Sequence, residues 1–569
     1  MSHEDERTDL VRLHPPERVD AMTAAGLWGA RSWPDLLAEH VRSMPDRLAV
    51  VDPPDLARIG DLAARRLTWS ELDTQVARLA SVLVESGVQR GDLVGVQLPN
   101  STDLVTTYLA IASLGAVATP FPAQYRSFEL SQMGTLARLT TFVGAGRIHG
   151  HDLASVVPGL WEIPSLKTIL AVGASVPDGV VALDPLVRDA TGAVPSRPTL
   201  ADFDPNDAVT VCWTSGTEST PKGVPRCPDD WYPMAISSVD AAELTVDDVL
   251  LNPFPMVNMA GIGGMLLPWL LTGAVLVQHH PFDADIFFTQ LHDEQVTYTV
   301  APPALLIGAL ELPRCTPETL ASVRVIGSGS APLPPSMITA WRDRFGIDVV
   351  NCFGSNEGVN MVSDARTVPD PAHRSVLFPR FGSPDHTWSN RASHGVQSRL
   401  VDPTTGEVVE AAGEPGELRL KGPGVFSGYL DGTAGTDPFD DDGYFCTGDL
   451  FELVADDDGD LRFLRYVDRA KDLIVRGGMN ISPAEIESFV AAHPAVAEVA
   501  VVGVHDERLG ERTRAVVVTR PGQTLTLEDL TSHLRSLDIA IFKLPESLVV
   551  LDALPRNPVG KVLKRELRA

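Results

Sequence analysis

Cysteine is scarce in this chain, and its distribution excludes two classes of protein. The 569 residues include five cysteines, which are widely separated and never occur as Cys-x-x-Cys. An odd number of separated cysteines indicates neither a disulfide framework nor a zinc site. Reduced thiols are typical of the cytoplasm, so we expect a cytoplasmic protein.

Long hydrophobic runs are also missing. The longest apolar stretch, Met259 to Leu271, is shorter than the roughly 20 residues that a helix needs to span a bilayer. The N-terminal segment contains no unbroken apolar core of the kind found in secretory signals. We therefore expect neither a membrane span nor a secretory signal.

Basic residues are in the minority, with 46 Lys and Arg against 75 Asp and Glu and a formal net charge of −29. Nucleic acids and anionic membranes favour clustered Lys and Arg, so neither is expected as a main partner. A phosphate-bearing ligand must then be bound by a few local cations and backbone donors. The length alone predicts two or more domains.

The first 330 residues alternate between helix and strand patterns. Thr68 and Glu71 have the spacing of a capping box, and apolar residues recur at helical intervals from Leu72 to Leu83 before Gly87. A second helix is predicted over 101–114. Strand-like runs occupy 93–98, 116–121, 208–213, 275–278, 297–301 and 323–327. This alternation predicts α/β layers with a largely parallel sheet.

The pattern changes twice towards the C-terminus. From about residue 390, short strand-like pieces between Asp, Gly and Pro turns predict an antiparallel β subdomain. From Pro483 the pattern predicts a helix over 484–492, a strand over 496–504 and a helix near 527–535. We therefore predict a large domain over 1–468, with 390–468 mostly β, and a small domain over 469–569.

Residues 209–226 (VTVCWTSGTESTPKGVPR) run from a β-branched segment into a loop rich in hydroxyls and glycine that ends at Lys222. Hydroxyls and backbone N–H groups donate to phosphate oxygens, and a lysine neutralises their charge. The loop is not a Walker motif, because Lys222 lies between Pro221 and Gly223. It predicts a nucleotide triphosphate site, and a polar surface loop is the alternative.

Five further segments accompany this loop: 327–333 (GSGSAPL), 352–358 (CFGSNEG), 444–450 (YFCTGDL), 468–487 (DRAKDLIVRGGMNISPAEIE) and 555–564 (PRNPVGKVLK). In this order they resemble the adenylate-forming superfamily, which includes acyl-CoA synthetases, luciferases and peptide-synthetase adenylation domains. The resemblance implies a large N-terminal domain of stacked α/β layers with an added antiparallel β subdomain, and a small mobile α+β C-terminal domain.

The resemblance also implies site residues in the large domain. The phosphates are expected at the 214–222 loop, adenine at the 329–332 wall and the Phe353 ring, the ribose at Asp449, and Mg²⁺ at Glu357. Core packing is the alternative for Phe353, and helix capping for Asp449. The full ATP set is Thr214, Ser215, Gly216, Thr217, Lys222, Gly329, Ser330, Ala331, Pro332, Phe353, Gly354, Asn356, Asp449, Arg469 and Lys561.

The small domain supplies the remaining predicted functions. Arg469 resembles the arginine that meets ribose or phosphate, and Lys561 resembles the lysine that binds the substrate carboxylate and the α-phosphate. With Lys222 and Glu357, Lys561 forms the predicted catalytic set; a solvated tail lysine is the alternative. Lys471 is the expected hinge between the two half-reactions. Gly477 and Gly478 are expected beside the pantetheine path of coenzyme A.

The phosphate loop departs from the usual family pattern at Glu218 and Ser219, where a hydroxyl residue and a glycine are expected. An acid beside a triphosphate is unfavourable unless it faces solvent or the metal. Asn356 replaces a threonine before Glu357, but its amide can still donate to the α-phosphate. None of the charged residues implied by the family is missing, so we expect an active enzyme rather than a degenerate nucleotide sensor.

The segment 251–278 aligns with the acyl pocket of the family and contains no charged residue. Amino-acid-activating relatives need a carboxylate there, because an unpaired buried ammonium costs several kcal/mol. Asn258, Met259, Gly261 and Gly264 are the predicted pocket residues; Asn258 binds either a polar substrate group or backbone. Gly261, Gly263 and Gly264 are expected to leave room for the acid.

We therefore predict activation of an apolar carboxylic acid with ATP and Mg²⁺ to an acyl-adenylate, followed by thioester formation with coenzyme A. An acyl-AMP ligase that loads a carrier protein or releases the adenylate is the alternative. The identity of the acid, the second-step acceptor and the formation of a homodimer stay open at this stage.

Overall fold

The chain is described by a computed structural model that covers residues 10, 12–29, 31–148, 150–192, 204–214, 221–383, 385–430, 433, 437–469, 472–476, 479–506, 509–537, 541–557 and 561–568. Its strands are β1 Leu48–Val51, β2 Arg66–Thr68, β3 Leu93–Gln97, β4 Val117–Pro120, β5 Thr141–Ala145, β6 Arg147–Ile148, β7 His151–Asp152, β8 Thr168–Val172, β9 Val181–Ala182, β10 Thr210–Thr214, β11 Lys222–Arg226, β12 Val249–Asn252, β13 Val275–Gln278, β14 Tyr298–Val300, β15 Val325–Gly329, β16 Asp348–Gly354, β17 Asn360–Ser363, β18 Leu377–Pro379, β19 Gln397–Val401, β20 Pro415–Lys421, β21 Phe445–Val454, β22 Phe463–Arg469, β23 Ile474–Arg476, β24 Met479–Ile481, β25 Val496–Asp506, β26 Gly510–Thr519 and β27 Ser547–Val550.

Its α-helices are α1 Pro16–Ala24, α2 Trp33–Ser43, α3 Leu56–Gly60, α4 Trp69–Glu85, α5 Thr102–Ala112, α6 Ser127–Leu136, α7 Val157–Leu160, α8 Leu183–Asp189, α9 Pro228–Ala241, α10 Leu267–Thr272, α11 Ala284–Asp293, α12 Pro303–Ala309, α13 Pro335–Phe345, α14 Pro371–Arg374, α15 Pro483–Ala491 and α16 Leu527–Ser536. A π-helical turn, Ile262–Leu266, leads directly into α10. Among the described residues, none of these helices is both long and apolar enough to cross a membrane.

Two sheets with mostly parallel strands form the first part of the chain. One has the order β17-β16-β15-β14-β12-β13-β1-β2, and only its two edge pairs are antiparallel. The other has the order β11-β10-β4-β3-β5-β8-β9, and only the β10–β11 pair is antiparallel. The predicted α/β layers are confirmed, and the predicted strand over 275–278 coincides with β13.

A shared hydrophobic core includes residues from helices α2, α4, α5, α9 and α10 and from strands of both sheets. The rings of Trp69 and Trp269 stack within it, with centroids 4.8 Å apart. The predicted capping box starts α4: Glu71 N donates to Thr68 Oγ1 (3.2 Å), and Thr68 N donates to Glu71 Oε2 (2.8 Å). Gly87, which follows α4, has φ 93°, a conformation that glycine adopts without strain.

The third sheet is antiparallel throughout, with the order β18-β22-β21-β20-β19. It confirms the predicted β subdomain and recruits one strand, β18, from before residue 390. A fourth sheet, β24-β23-β26-β25 with β27 beside β26, packs with α15 and α16 around its own core. Arg469 is the last residue of β22, and the domain boundary predicted beside it stays a prediction.

Candidate active site

Three loops leave the same edge of the first sheet. Strands β12, β14, β15 and β16 are parallel neighbours, so their carboxyl ends lie side by side. The acyl segment follows β12, the 329–332 wall follows β15, and the Asn356–Glu357 turn follows β16. Ligands of open α/β sheets bind at this edge, and the predicted residues of these three loops converge there.

The phosphate loop connects β10 and β11, in which Thr214 pairs directly with Lys222. Ser215, Gly216 and Thr217, and with them Glu218 and Ser219, lie outside the described residues. Lys222 is half-buried, and its Nζ lies 5.0 Å from the centre of the Tyr429 ring. The strand after the loop is fixed to Leu430 and Thr433, because Leu430 N donates to Gly223 O (2.8 Å) and Gly223 N donates to Thr433 Oγ1 (3.2 Å).

Tyr429 joins the predicted cation to the predicted metal ligand. Its ring faces Lys222, and its hydroxyl donates to Glu357 Oε1 at 3.0 Å. A carboxylate held by a hydrogen bond beside a lysine matches what a Mg²⁺-triphosphate requires, namely an oxygen ligand and a positive charge close together. Sequence reasoning missed Tyr429, because nothing in its local sequence indicates contact with residues more than seventy positions away.

Asn356 is buried, and its side chain connects three elements. Its Oδ1 accepts from Met259 N (2.8 Å), and its Nδ2 donates towards Trp213 O (3.5 Å). Asn356 therefore holds the acyl segment and the end of β10 together at the metal turn. The donation to the α-phosphate that the sequence suggested stays a prediction; Nδ2 carries two N–H donors, and one of them points towards Trp213 O.

Arg226, at the end of β11, is hydrogen-bonded to the backbone of the same turn. Its guanidinium is fully buried, pairs with Asp230 Oδ1 through Nε (2.9 Å) and lies 4.9 Å from the Trp231 ring. Nη1 donates to Asn356 O at 2.9 Å, and Nη2 donates to Asp230 O at 2.6 Å. A buried charge needs this degree of pairing. Arg226 was not predicted, because nothing in its local sequence indicates a buried guanidinium.

The predicted adenine wall is built by close backbone packing. A Cβ on Gly329 would lie 2.2 Å from Cys352 O, so only glycine fits between β15 and β16. Ser330 follows with φ 72°, a left-handed conformation that a non-glycine residue rarely adopts. Ala331 and Pro332 are exposed after it. The strained, exposed segment is suited to lie flat against a planar ligand.

Phe353 is half-buried among three aromatic rings, with centroids 5.3 Å from Phe451, 5.3 Å from Tyr466 and 6.0 Å from Phe378. Burial raises the pKa of the Tyr466 phenol, so this ring stays neutral. Phe353 therefore packs against the third sheet's core and keeps part of its surface exposed, and its stacking against adenine stays a prediction. Gly354 is exposed, and a Cβ there would lie 2.4 Å from Met259 Sδ.

Asp449 and Arg469 face each other across β21 and β22. Asp449 Oδ1 lies 2.8 Å from Arg469 Nε, and the Asp449 side chain is only 3% exposed. Glu417 supports the preceding turn, because Gly448 N donates to Glu417 Oε1 (3.1 Å). Asp449 caps no helix, which removes the alternative interpretation, and its carboxylate is neutralised before any nucleotide binds.

Two asparagines of the acyl segment accept hydrogen bonds from the segment's own backbone. Asn258 Oδ1 accepts from Ala260 N (3.0 Å) and Gly261 N (3.4 Å), and Asn252 Oδ1 accepts from Phe254 N (3.1 Å). From outside the segment, Asn100 Nδ2 donates to Phe254 O (2.7 Å), and the buried Tyr108 hydroxyl donates to Met256 O. Asn258 Oδ1 therefore binds backbone, and binding of a polar substrate group by this side chain stays a prediction.

The glycines of this segment differ in the space around them. A Cβ on Gly261 would lie 2.3 Å from Pro255 O, and one on Gly263 would lie 3.0 Å from Trp231 Cζ3. These two glycines permit close packing and leave no room, contrary to the expectation. A Cβ on Gly264 would meet only Met259 O, at 3.9 Å. The open side of the segment therefore lies at Gly264 and Met259.

Lys561 lies in the last part of the chain, where its backbone is hydrogen-bonded to Asn557. Asn557 N donates to Lys561 O (2.8 Å), and Lys561 N donates to Asn557 Oδ1 (2.8 Å). Lys564, further along the chain, is half-buried and its Nζ pairs with Glu487 Oε1 (2.8 Å), whereas Lys561 is exposed. Lys471, Gly477 and Gly478 lie outside the described residues, and their predicted functions, like that of Lys561, stay predictions.

Comparison with known proteins identifies the family of the chain. The family model for AMP-binding enzymes matches residues 37–430, and that for the AMP-binding enzyme C-terminal domain matches residues 485–561. The chain belongs to the AMP-binding enzyme family. The predicted adenylate-forming resemblance is confirmed, and ATP, Mg²⁺ and coenzyme A are the cofactors of its CoA-ligase members.

Two relatives and one solved structure illustrate the match. A Rhodococcus jostii 3-[(3aS,4S,7aS)-7a-methyl-1,5-dioxo-octahydro-1H-inden-4-yl]propanoyl:CoA ligase is 33% identical over 94% of this chain and 98% of its own. A Mycobacterium tuberculosis salicyl-AMP ligase/salicyl-S-ArCP synthetase is 29% identical over 97% and 93%. The crystal structure of ATP-bound MatB from Rhodopseudomonas palustris superposes with a TM-score of 0.77 at 29% identity, over 94% and 98%.

Proposed function

We propose that the chain is an AMP-forming CoA ligase for a bulky apolar carboxylic acid. The observation that carries the choice of acid is the acyl segment: residues 251–278 contain no charge, and Asn252 and Asn258 bind within the segment. An ammonium or a second carboxylate on the substrate would find no partner there, at a cost of several kcal/mol. The soft side chain of Met259 tolerates varied ring shapes.

The chemistry needs two displacements. First, a carboxylate oxygen of the acid attacks the α-phosphorus of ATP, and the bond to pyrophosphate breaks. Then the thiol of coenzyme A, after losing its proton, attacks the acyl carbon, and AMP leaves with the bonding electrons. Glu357 would hold Mg²⁺, Lys222 would neutralise the phosphates, and Lys561 would bind the acid and the α-phosphate as negative charge moves between them.

The known relatives agree with this choice. The Rhodococcus jostii relative is named for a bicyclic propanoyl substrate, and the Mycobacterium tuberculosis relative for an aromatic one. Because the second of these is also a carrier-protein synthetase, loading of a carrier protein is the alternative second step. In both cases the first half-reaction is the same, so the two proposals differ only in the acceptor.

The test is pyrophosphate release with a panel of aliphatic, aryl and polycyclic acids, each with and without coenzyme A. We expect release with an apolar ring-bearing acid, no release with an amino acid, and an acyl-CoA product when coenzyme A is present. Adenylate formation without thioester would favour the carrier-protein alternative. Release only with charged or amino acids would contradict the argument from the acyl segment.

A pocket variant tests the location of the acid. Gly264→Leu adds a side chain at a position where a Cβ would meet only Met259 O, at 3.9 Å, so we expect bulky acids to lose at least tenfold in kcat/KM while short acids change little. Gly308→Leu is the matched control, because Gly308 lies in α12 with no atom within 4 Å of its added Cβ. Equal losses for short and bulky acids would place the pocket elsewhere.

A further inference from the structure

The N-terminal segment formed by Leu10 and residues 12–29 precedes residue 37, where the family match begins, and no function has been assigned to it above. It contains α1, and two hydrogen bonds to Asn206 fix it to the body of the protein. Leu13 N donates to Asn206 O (2.9 Å), and the Asn206 side chain donates through Nδ2 to His14 O (3.1 Å). Its inward-facing polar side chains reach the metal turn by two separate routes.

The first route starts at Arg18 and Trp28. Arg18 Nη2 donates to Gly422 O (3.0 Å) and Val425 O (2.7 Å), and Trp28 Nε1 donates to Pro423 O (3.1 Å). The guanidinium also lies 5.2 Å from the Trp28 ring. The next residue of this loop, Phe426, donates its N–H to Glu357 O at 3.0 Å. The loop bound by the N-terminal segment thus holds the carbonyl of the predicted metal ligand.

The second route starts at His14. Its Nε2 lies 3.2 Å from Asp230 Oδ2, and both side chains are fully buried. Burial lowers the pKa of His14, so the neutral ring donates its Nε2 proton to the carboxylate. Asp230 in turn pairs with Arg226, which donates to Asn356 O at 2.9 Å. The second route thus ends on the carbonyl of Asn356, and the first ends on the carbonyl of Glu357, the next residue.

We propose that this N-terminal segment is a strap that positions the Asn356–Glu357 turn for the Mg²⁺-nucleotide. The proposal rests on the proposed function of Glu357. Two consecutive carbonyls are held by donors from two different elements, and each donor is connected to the strap within two contacts. These two carbonyls belong to the peptide groups on either side of the Glu357 Cα. Fixing both groups limits rotation about the backbone bonds of Glu357, and this sets the direction of its side chain. Arg18, Trp28 and His14 act as positioning residues and touch no substrate.

The test compares Arg18→Met, which keeps the aliphatic stem and loses both donors, with Arg12→Met. Arg12 lies in the same segment, but its side chain is 72% exposed and pairs with Asp204 at the surface. In the full chain we expect Arg18→Met to weaken calorimetric binding of MgATP at least fivefold and to slow adenylation at least tenfold. Thioester formation from a supplied acyl-adenylate should stay within twofold, and Arg18→Lys should recover part of the loss.

Equal losses in both half-reactions together with a lowered Tm would mean that the strap only stabilises the fold, and unchanged MgATP binding would also overturn the proposal. If Arg18→Met does not fold, Trp28→Phe, which removes a single donor, is measured in the same way. MgATP binding needs no acid, so the comparison between variants holds even if the panel reveals no acid. A wild-type chain that binds MgATP without releasing pyrophosphate would contradict the proposed function and leave the strap testable.

Discussion

The Tyr429 side chain makes two contacts that conservative substitutions can separate. Tyr429→Phe keeps the ring 5.0 Å from Lys222 Nζ and removes the hydroxyl that donates to Glu357 Oε1 at 3.0 Å. A hydrogen bond to a charged group contributes about 1.5–3 kcal/mol. Because Glu357 is half-buried, we use the lower value, which corresponds to about a tenfold loss in kcat/KM for MgATP.

Tyr429→Leu removes the ring as well. A partly exposed cation–π contact adds about 0.5–1 kcal/mol, so the loss should grow by a further factor of about two to five. The two variants should also differ in kind. Tyr429→Phe should raise the Mg²⁺ concentration needed for half-maximal pyrophosphate release, whereas the additional loss in Tyr429→Leu should appear as weaker ATP binding at saturating Mg²⁺.

Tyr444 provides the matched control. Its ring lies 4.2 Å from the Arg399 guanidinium and its hydroxyl bonds to Gln397 Oε1 (3.1 Å), so the two tyrosines make the same kinds of contact in different places. Tyr444→Phe should leave the Mg²⁺ dependence of pyrophosphate release unchanged. If Tyr429→Phe matched wild type in that assay, or if both variants lost activity equally, the assignment of Tyr429 to the metal site would be refuted.

Three further predictions concern the wall, the buried cation and acid stability. Gly329→Ala should abolish ATP binding, because its Cβ would lie 2.2 Å from Cys352 O, whereas Gly308→Ala should bind ATP normally in the same titration. Arg226→Met should lower Tm by several degrees and adenylation by more than tenfold, since it leaves Asp230 buried without its cation; Arg226→Lys should restore Tm better than activity. Burial alone would raise the pKa of Asp440, but hydrogen bonds from Arg399, Tyr444 N and Arg419 lower it to about 2. The ionised Asp440 therefore contributes about 2 kcal/mol to the free energy of unfolding above pH 4, and this contribution disappears as the pH falls towards 2. Asp440→Asn should accordingly lower Tm at pH 7, and its Tm should converge with that of wild type near pH 2.

The sequence predicted the elements of the fold more accurately than their contacts. Strand β13 and the starts of β3, β25 and α16 follow the local hydrophobic pattern, and the capping box placed the start of α4 correctly. By contrast, β15 extends two residues beyond the end of the strand predicted over 323–327, because the Gly-Ser-Gly end of β15 looks like loop in isolation. The positions of strands and helices follow from local hydrophobic periodicity, so a single sequence is enough to predict them.

The supporting residues of the site could not be predicted in the same way. Glu357 and Asn356 were found from their motif, but their partners Tyr429, Arg226 and Met259 lie in separate elements brought together only by folding. Gly261 shows the same difficulty: a glycine that leaves room and a glycine that permits backbone contact look identical in sequence. Only the distance to Pro255 O distinguishes them.

The acidic composition of the chain can be compared with the arrangement of charges in the site. A net charge of −29 disfavours ATP at long range, yet the predicted cations do not stand alone: Arg469 pairs with Asp449 at 2.8 Å, and Lys222 lies beside the tyrosine that binds Glu357. These two cations therefore already have a nearby acid, and each of the two acids is a predicted ligand of a different part of MgATP. Binding then exchanges partners within the site instead of bringing an anion to a bare positive patch, so affinity should depend on Mg²⁺ more steeply than on ionic strength.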